Sequence, residues 1–259
     1  MTENLETYLY ISSNTVGIYL YEKKKFQNLY EEELNFINKT ENLNLETLSK
    51  FLDDNIFKIE KSIGKFITNI YLVIENKKIF NAKFCIKKKI YDKTISKKYL
   101  ENTLTEAKDL FRENYQDNRI LHIIVNNYFI NGKNYPYFSE NLQGDELSIE
   151  LQFIYISNSF SLLLEKVLEK FQIRIIQYLD GHYIKNFFEG NDIHLTEMIS
   201  KIKDGHNENE IRLVPKNIKK SHKLFPYFGS FCINNVRNPL VFLYLKTPQL
   251  TAILTAREE

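Results

Sequence analysis

The chain has 259 residues, long enough for one large domain or two small ones, and its 43% hydrophobic and 14% aromatic content can fill a core. Its 35 basic and 33 acidic residues nearly cancel, which excludes a global field that would draw in nucleic acid or an anionic membrane. Two cysteines, Cys85 and Cys232, far apart and without a close histidine, argue against a zinc site and a disulfide scaffold.

Met1 to Thr7 is acidic and polar, which does not read as a secretory signal, and no stretch approaches the ~20 apolar residues of a membrane span. The expectation is a cytoplasmic protein with at most peripheral membrane association.

Tyr8 to Tyr21 holds two β-rich runs separated by Ser12-Ser13-Asn14, the turn chemistry of a hairpin. From Leu45 onward, Leu48, Leu52, Ile56, Ile59, Ile63 and Phe66 recur at spacings of three and four, predicting a long amphipathic helix with Asn44 as N-cap. Ile70 to Ile74 reads as a buried strand, and Ala82 to Lys87 as another beyond a lysine-rich loop. A domain junction is predicted near Glu75 to Lys78. Ser96 opens a second amphipathic helix through Leu100, Leu104, Ala107 and Phe111.

Two long strands follow, Ile120 to Ile130 and Glu146 to Ile156, joined by a loop rich in Tyr, Asn and Gly. A helix from Ser159 to Phe171 leads into the strand Arg174 to Leu179. Asp180-Gly181-His182 reads as the turn that closes it. Beyond Glu189 the pattern gives a helix from Ile193 to Ile202, a polar linker, a lysine-rich segment and the strand Leu240 to Leu245. The tail from Thr247 to Glu259 carries too little apolar surface, and the wrong charge, for a strong membrane foot.

Taken together, the element order resembles the N-terminal half of FtsA, the actin-like cell-division family, across roughly residues 7 to 185. Arg119 to Gly132 is similar to the family's strand "RILHVIPQEYxID", and Asn141 to Ile154 is similar to "GLSGxRLxAxVHLI". Ile70 to Ile79 sits where the family has "VYLALSGKHI". The resemblance implies an α+β chain with a partial actin-like (ribonuclease-H-like) core and an inserted strand-helix-strand-strand (SHS2-like) subdomain. It places residues 1-75 and 158-190 in the core, 76-157 in the insert, and leaves 191-259 unassigned.

The departures from the family bear on function. Its first hairpin carries an acid before Ile-Gly-Thr, where backbone amides approach the nucleotide phosphates. The corresponding positions here are Tyr10, Ile11, Ser12 and Ser13, so Tyr10, Ser12, Ser13 and Asn14 form a degenerate phosphate loop. The second phosphate loop, Asp-Ile-Gly-Gly-Gly-Thr, is replaced after Leu179 by Asp180-Gly181-His182-Tyr183. With 8 glycines in all, there is little material for a phosphate cradle. The expectation is a scaffold that is not an enzyme and holds no cofactor or metal.

His122 lies in an apolar strand with no nucleophile or paired carboxylate beside it, and reads as a core or strand-edge histidine. Asp53-Asp54 reads as a solvated helix face. The runs Lys23 to Lys25, Lys87 to Lys89 and Lys219-Lys220, interleaved with Phe84, Tyr91 and Tyr99, could form a single-strand nucleic-acid surface or merely solvated strand ends. In the FtsA family the insert contacts other division proteins, so Lys87, Lys88, Lys89, Tyr135, Tyr137 and Phe138 are the candidate protein-interaction residues. Implied partners are cell-division proteins, FtsZ or FtsA-like subunits among them, at the inner membrane face of the division site. No nucleic-acid partner is expected. A pilus-assembly platform protein similar to PilM is the alternative within this architecture.

Overall fold

A computed structural model describes residues 5–35, 45–91, 94–139, 142–211 and 240–244. In chain order these form β1 (Leu5–Ser12), β2 (Thr15–Glu22), β3 (Gln27–Asn35), α1 (Leu45–Ile63), β4 (Asn69–Glu75), β5 (Ile79–Lys89), β6 (Thr94–Ile95), α2 (Lys97–Asn114), β7 (Asn118–Ile130) and β8 (Lys133–Tyr135). They continue with β9 (Leu142–Gln143), β10 (Glu146–Ser157), α3 (Asn158–Glu169), β11 (Arg174–Asp180), α4 (Gly181–Phe187), α5 (Leu195–Lys203) and β12 (Leu240–Tyr244). Asn44, Lys219, Lys220, Cys232, Leu245 and the tail from Thr247 to Glu259 lie outside the described residues. The chain divides into two units, residues 1–80 with 155–207 and residues 81–154 with 208–259.

The first unit is built on a sheet of order β11-β4-β1-β2-β3. β1, β2 and β3 form an antiparallel meander, while β4 lies parallel to β1 and β11 parallel to β4. Three meandering strands followed by two parallel strands reached through helical crossovers are the ribonuclease-H-like topology of an actin-like half-domain. The first segment of the second unit, residues 81–154, enters the sequence between β4 and α3.

Strict alternation along β1, β2 and β4 gives this sheet two unlike faces. Leu9, Ile11, Ile18, Leu20, Leu72 and Ile74 are buried on one. Helices α1 and α3 cover that face: Tyr30, in register with Leu20, donates to Asn55 of α1 at 2.7 Å, and Tyr178, in register with Leu72, donates to Glu165 of α3 at 2.8 Å. The opposite face carries Tyr8, Tyr10, Tyr19, Tyr21 and Val73, packed with Ile184 and Phe188 at α4 and Ile199 and Ile202 of α5. Each fully buried aliphatic side chain contributes about 1.5–3 kcal/mol, so this face stabilises the packing of α1 and α3.

Two elements of this unit escape sequence reading. β3 is exposed at most positions and carries Glu31-Glu32-Glu33, so it shows no apolar alternation. The segment read as a closing turn is instead the start of α4: the Asp180 carboxylate accepts from His182 N at 3.0 Å and Tyr183 N at 3.3 Å, the geometry of an N-cap.

The second unit holds a sheet of order β12-β5-β10-β7-β8, and β5, α2, β7 and β10 follow the strand-helix-strand-strand order. Ser96 caps α2, accepting from Tyr99 N at 3.2 Å. The buried stripe of α2 meets the sheet through aromatics, with Phe111 stacked on Phe153 at 4.6 Å and Phe84 edge-on to Phe153 at 4.9 Å. The loop between the long strands contains a hairpin that sequence reading passed over. Asn131 and Gly132, at φ 49° and 79°, make a two-residue turn into β8.

Candidate functional site

In open sheets with parallel strands, ligands are taken up at the carboxyl ends of the strands, where loops and helix starts converge. In the first unit this end gathers Ser12 of β1, Glu75 of β4 and Asp180 of β11, since Ser12 pairs in register with Glu75 and Asp180 with Ile74. It is also the end that carries Tyr10, Ser12, Ser13 and Asn14, the positions that the resemblance to FtsA makes a degenerate phosphate loop.

The loop positions fall as follows. Ser12 is buried and its hydroxyl closes the turn: it accepts from Asn14 N at 3.3 Å and Thr15 N at 2.9 Å, and donates to Thr15 O at 3.1 Å. Two of the turn's amides are thereby satisfied within the hairpin and do not converge on an anion. Ser13 and Asn14 are exposed.

Tyr10 is buried, and its hydroxyl donates to Glu75 Oε2 at 2.5 Å. Lys185 of α4 reaches the same pair, with Nζ 2.8 Å from the Tyr10 hydroxyl and 2.6 Å from Glu75 Oε2, and lies 4.9 Å from the Tyr10 ring centroid. His182 stands 3.7 Å from the other Glu75 oxygen. Close approach of α4 to β4 depends on Gly181, where a Cβ would lie 3.0 Å from the Glu75 Cβ and 3.3 Å from the Ile74 carbonyl oxygen.

Burial alone would raise the Glu75 carboxyl, but the bonds from Lys185 and Tyr10 and the charges of Lys185 and His182 outweigh it and hold the group below its usual range. Burial would lower Lys185, yet the same bonds to Glu75 and Tyr10 raise it. Burial raises the Tyr10 hydroxyl, and its bond to Glu75 adds to the effect. At neutral pH the trio is therefore an ion pair closed by a phenol, each group consumed by the others. This is a clamp between β1, β4 and α4, not a poised acid and base.

Sequence reading found Tyr10 and missed Glu75 and Lys185. Glu75 ends the apolar run Ile70 to Ile74, and a carboxylate closing a parallel strand was the available signal. Lys185 sits on α4, where the sequence pattern gives a turn. Among the described residues no group of three or more His, Cys, Asp or Glu could hold a metal ion, and no helix is long and apolar enough to cross a membrane.

The candidate interaction residues of the second unit fall into two separate groups. Lys87 pairs with Glu146 at 2.7 Å, Lys88 pairs with Glu106, and Lys89 is exposed. Tyr135, Tyr137 and Phe138 lie at or beyond β8, at the opposite edge of the sheet, with Phe138 against Tyr128 at 5.9 Å. The edge of β5 from Lys83 to Lys87 is paired antiparallel with β12 of the same chain.

The lysine runs are largely met by carboxylates, Lys23 by Asp204 at 2.5 Å and Lys25 by Glu22 at 3.1 Å. Phe84 is buried and unavailable for base stacking. His122 is fully buried, its Nδ1 2.6 Å from Glu210 Oε1, where residues 209–211 pair along β7. Asp53 and Asp54 are exposed on α1.

No family model and no curated protein matches this chain. Among solved structures it is similar to the cytoplasmic domain of EpsL, an inner membrane component of the type II secretion system of Vibrio cholerae, at 8% identity and TM-score 0.33 over 70% of this chain and 57% of that one. It is similar to a chain of the PilM-PilN type IV pilus biogenesis complex at 10% identity and TM-score 0.47, over 72% of this chain and 49% of that one. It is also similar to a Bacteroides thetaiotaomicron protein with actin-like ATPase fold and unknown function, at 14% identity and TM-score 0.31, over 72% and 56%. The chain thus spans between 49% and 57% of the length of these three.

Proposed function

We propose that this chain is a nucleotide-free actin-like scaffold that acts through protein-protein contacts, in cell division as the resemblance to FtsA implies. One observation carries the reading. At the carboxyl end of the first sheet, where a nucleotide and its metal would need open amides and uncommitted carboxylates, the Ser12 hydroxyl takes two turn amides and Lys185 takes Glu75. The strand-helix-strand-strand module between β4 and α3 supports the FtsA likeness. It fits a pilus-assembly platform equally, which is the second reading.

The test is direct binding of the immobilised full chain to purified FtsZ, to other cytoplasmic division proteins, and to the cytoplasmic tails of pilus-assembly proteins. Saturable retention of a division protein supports the first reading and retention of a pilus tail the second. Retention of single-stranded oligonucleotide with steep salt dependence, and of no protein, would sink both.

A further inference from the structure

From the first unit's outer strand we infer a second interaction surface, the free edge of β3, which takes an extended basic segment of a partner protein as an added strand. This rests on the reading of the chain as an interaction scaffold, though not on which assembly it serves.

β3 has β2 on one side and, among the described residues, no strand on the other. Six residues, Tyr30 to Asn35, run in unbroken register with β2 beyond the shift that leaves Leu29 unpaired. That is about 20 Å of edge, enough for a strand to add through main-chain bonds.

Natural edges of this length are blunted by charged side chains, lysine above all, or by proline, bulges or burial, and the bulge here lies at Leu29, before the six regular residues. Here the strand contains no Lys, Arg or Pro and carries three consecutive glutamates, Glu31, Glu32 and Glu33, all exposed. Glu33 accepts from the Tyr19 hydroxyl, and Glu31 from Asn28 Nδ2 at 2.7 Å, whereas Glu32 stands on the helix-covered side of the strand without such a bond among the described residues.

An acidic row protects against pairing with a second copy, because β3 against β3 would set like charges opposite one another. It does not explain why the same strand and its turn expose Phe26 (64%), Leu29 (48%) and Leu34 (38%). Phe26 adds a further observation: its backbone sits at φ 52°, a left-handed conformation unfavourable for a bulky side chain, and the ring gains no burial in return. Acid, apolar anchors and an open ladder together fit a lysine- or arginine-bearing β-strand, and they repel nucleic acid.

The probe is a fluorescein-labelled peptide of alternating lysine and valine, titrated against the full chain by anisotropy, with amide hydrogen exchange read on the same complex. The surface predicts saturable binding that weakens with salt and slows exchange in residues 27–35. It predicts binding about tenfold weaker for the E31K/E32K variant, whose substituted positions are exposed and leave the fold intact by circular dichroism. A glutamate-valine peptide that binds equally well, protection confined to strands other than β3, or a concentration-dependent dimer built on β3 would each overturn it. None of these outcomes alters the division-protein or pilus-tail tests, so the two readings fail separately.

Discussion

The two faces of the first sheet are built from the same strands and differ in almost everything else. Leu9, Ile11, Ile18, Leu20, Leu72 and Ile74 meet α1 and α3 with hydrocarbon. One residue over, Tyr8, Tyr10, Tyr19, Tyr21 and Tyr71 meet α4 and α5, and three of their hydroxyls are bonded to carboxylates, Tyr8 to Glu6, Tyr10 to Glu75 and Tyr19 to Glu33, while the Tyr21 hydroxyl is buried without a bond among the described residues. Lys203 joins the first of these at 2.6 Å from Glu6 and 5.1 Å from the Tyr71 centroid. The aliphatic face supplies stability that depends on area and tolerates exchange of similar shapes. The tyrosine face ties the last two helices down through lysines, Lys185 of α4 on the Tyr10 hydroxyl and Lys203 of α5 on Glu6, where leaving a buried polar group unpaired costs about 1–3 kcal/mol. The ends of the strands, where a ligand would bind, are closed by the second kind of contact.

The contrast can be broken most severely from the aliphatic side. Leu72→Ala, at a fully buried position, is expected to cost about 2–5 kcal/mol, read as a lowered urea midpoint with unchanged slope. Gly17→Ala would set a Cβ 2.5 Å from the Tyr19 hydroxyl and 2.9 Å from its ring, on a side chain that is itself fully buried, and should cost about 1–3 kcal/mol. Tyr8→Phe removes one bond to Glu6 while Lys203 stays in place. The expected loss is about 1.5 kcal/mol, and a neutral result would mean that the tyrosine face is packing alone.

Lys185→Met separates clamp from core. With Lys185 43% exposed, solvent screening keeps the expected loss under about 1 kcal/mol. Its signature is pH dependence. The depressed Glu75 gives stability that is present above its unfolded value and lost as pH falls through the folded one, and the raised Lys185 gives stability present below its unfolded value and lost as pH rises through the folded one. The variant should flatten both limbs relative to the parent. At the small end, Phe26→Gly relieves the left-handed strain and should raise stability by about 0.5 kcal/mol while weakening peptide binding at β3.

The alternation that separates the two faces is legible in the sequence, as are the helices whose apolar stripes recur at three and four. The closing contacts are not, because Tyr10, Glu75 and Lys185 are brought together by the parallel pairing of β1 with β4 and by an Asp180 cap that turns a nominal loop into α4. β3 was missed for the opposite reason: a solvent-facing edge has no need of apolar periodicity. That Tyr10 and Ser12 stand where the FtsA resemblance expects an acid and a glycine is visible in the sequence, but that the Ser12 hydroxyl fills the turn can be read only from its geometry.

The most direct measurement is calorimetric titration of the full chain with Mg-ATP. A closed strand end, with the turn amides bonded to Ser12 and Glu75 held by Lys185, predicts no saturable heat at any accessible concentration. A saturable binding isotherm would contradict the account and identify the chain as a nucleotide-binding member of the actin-like fold.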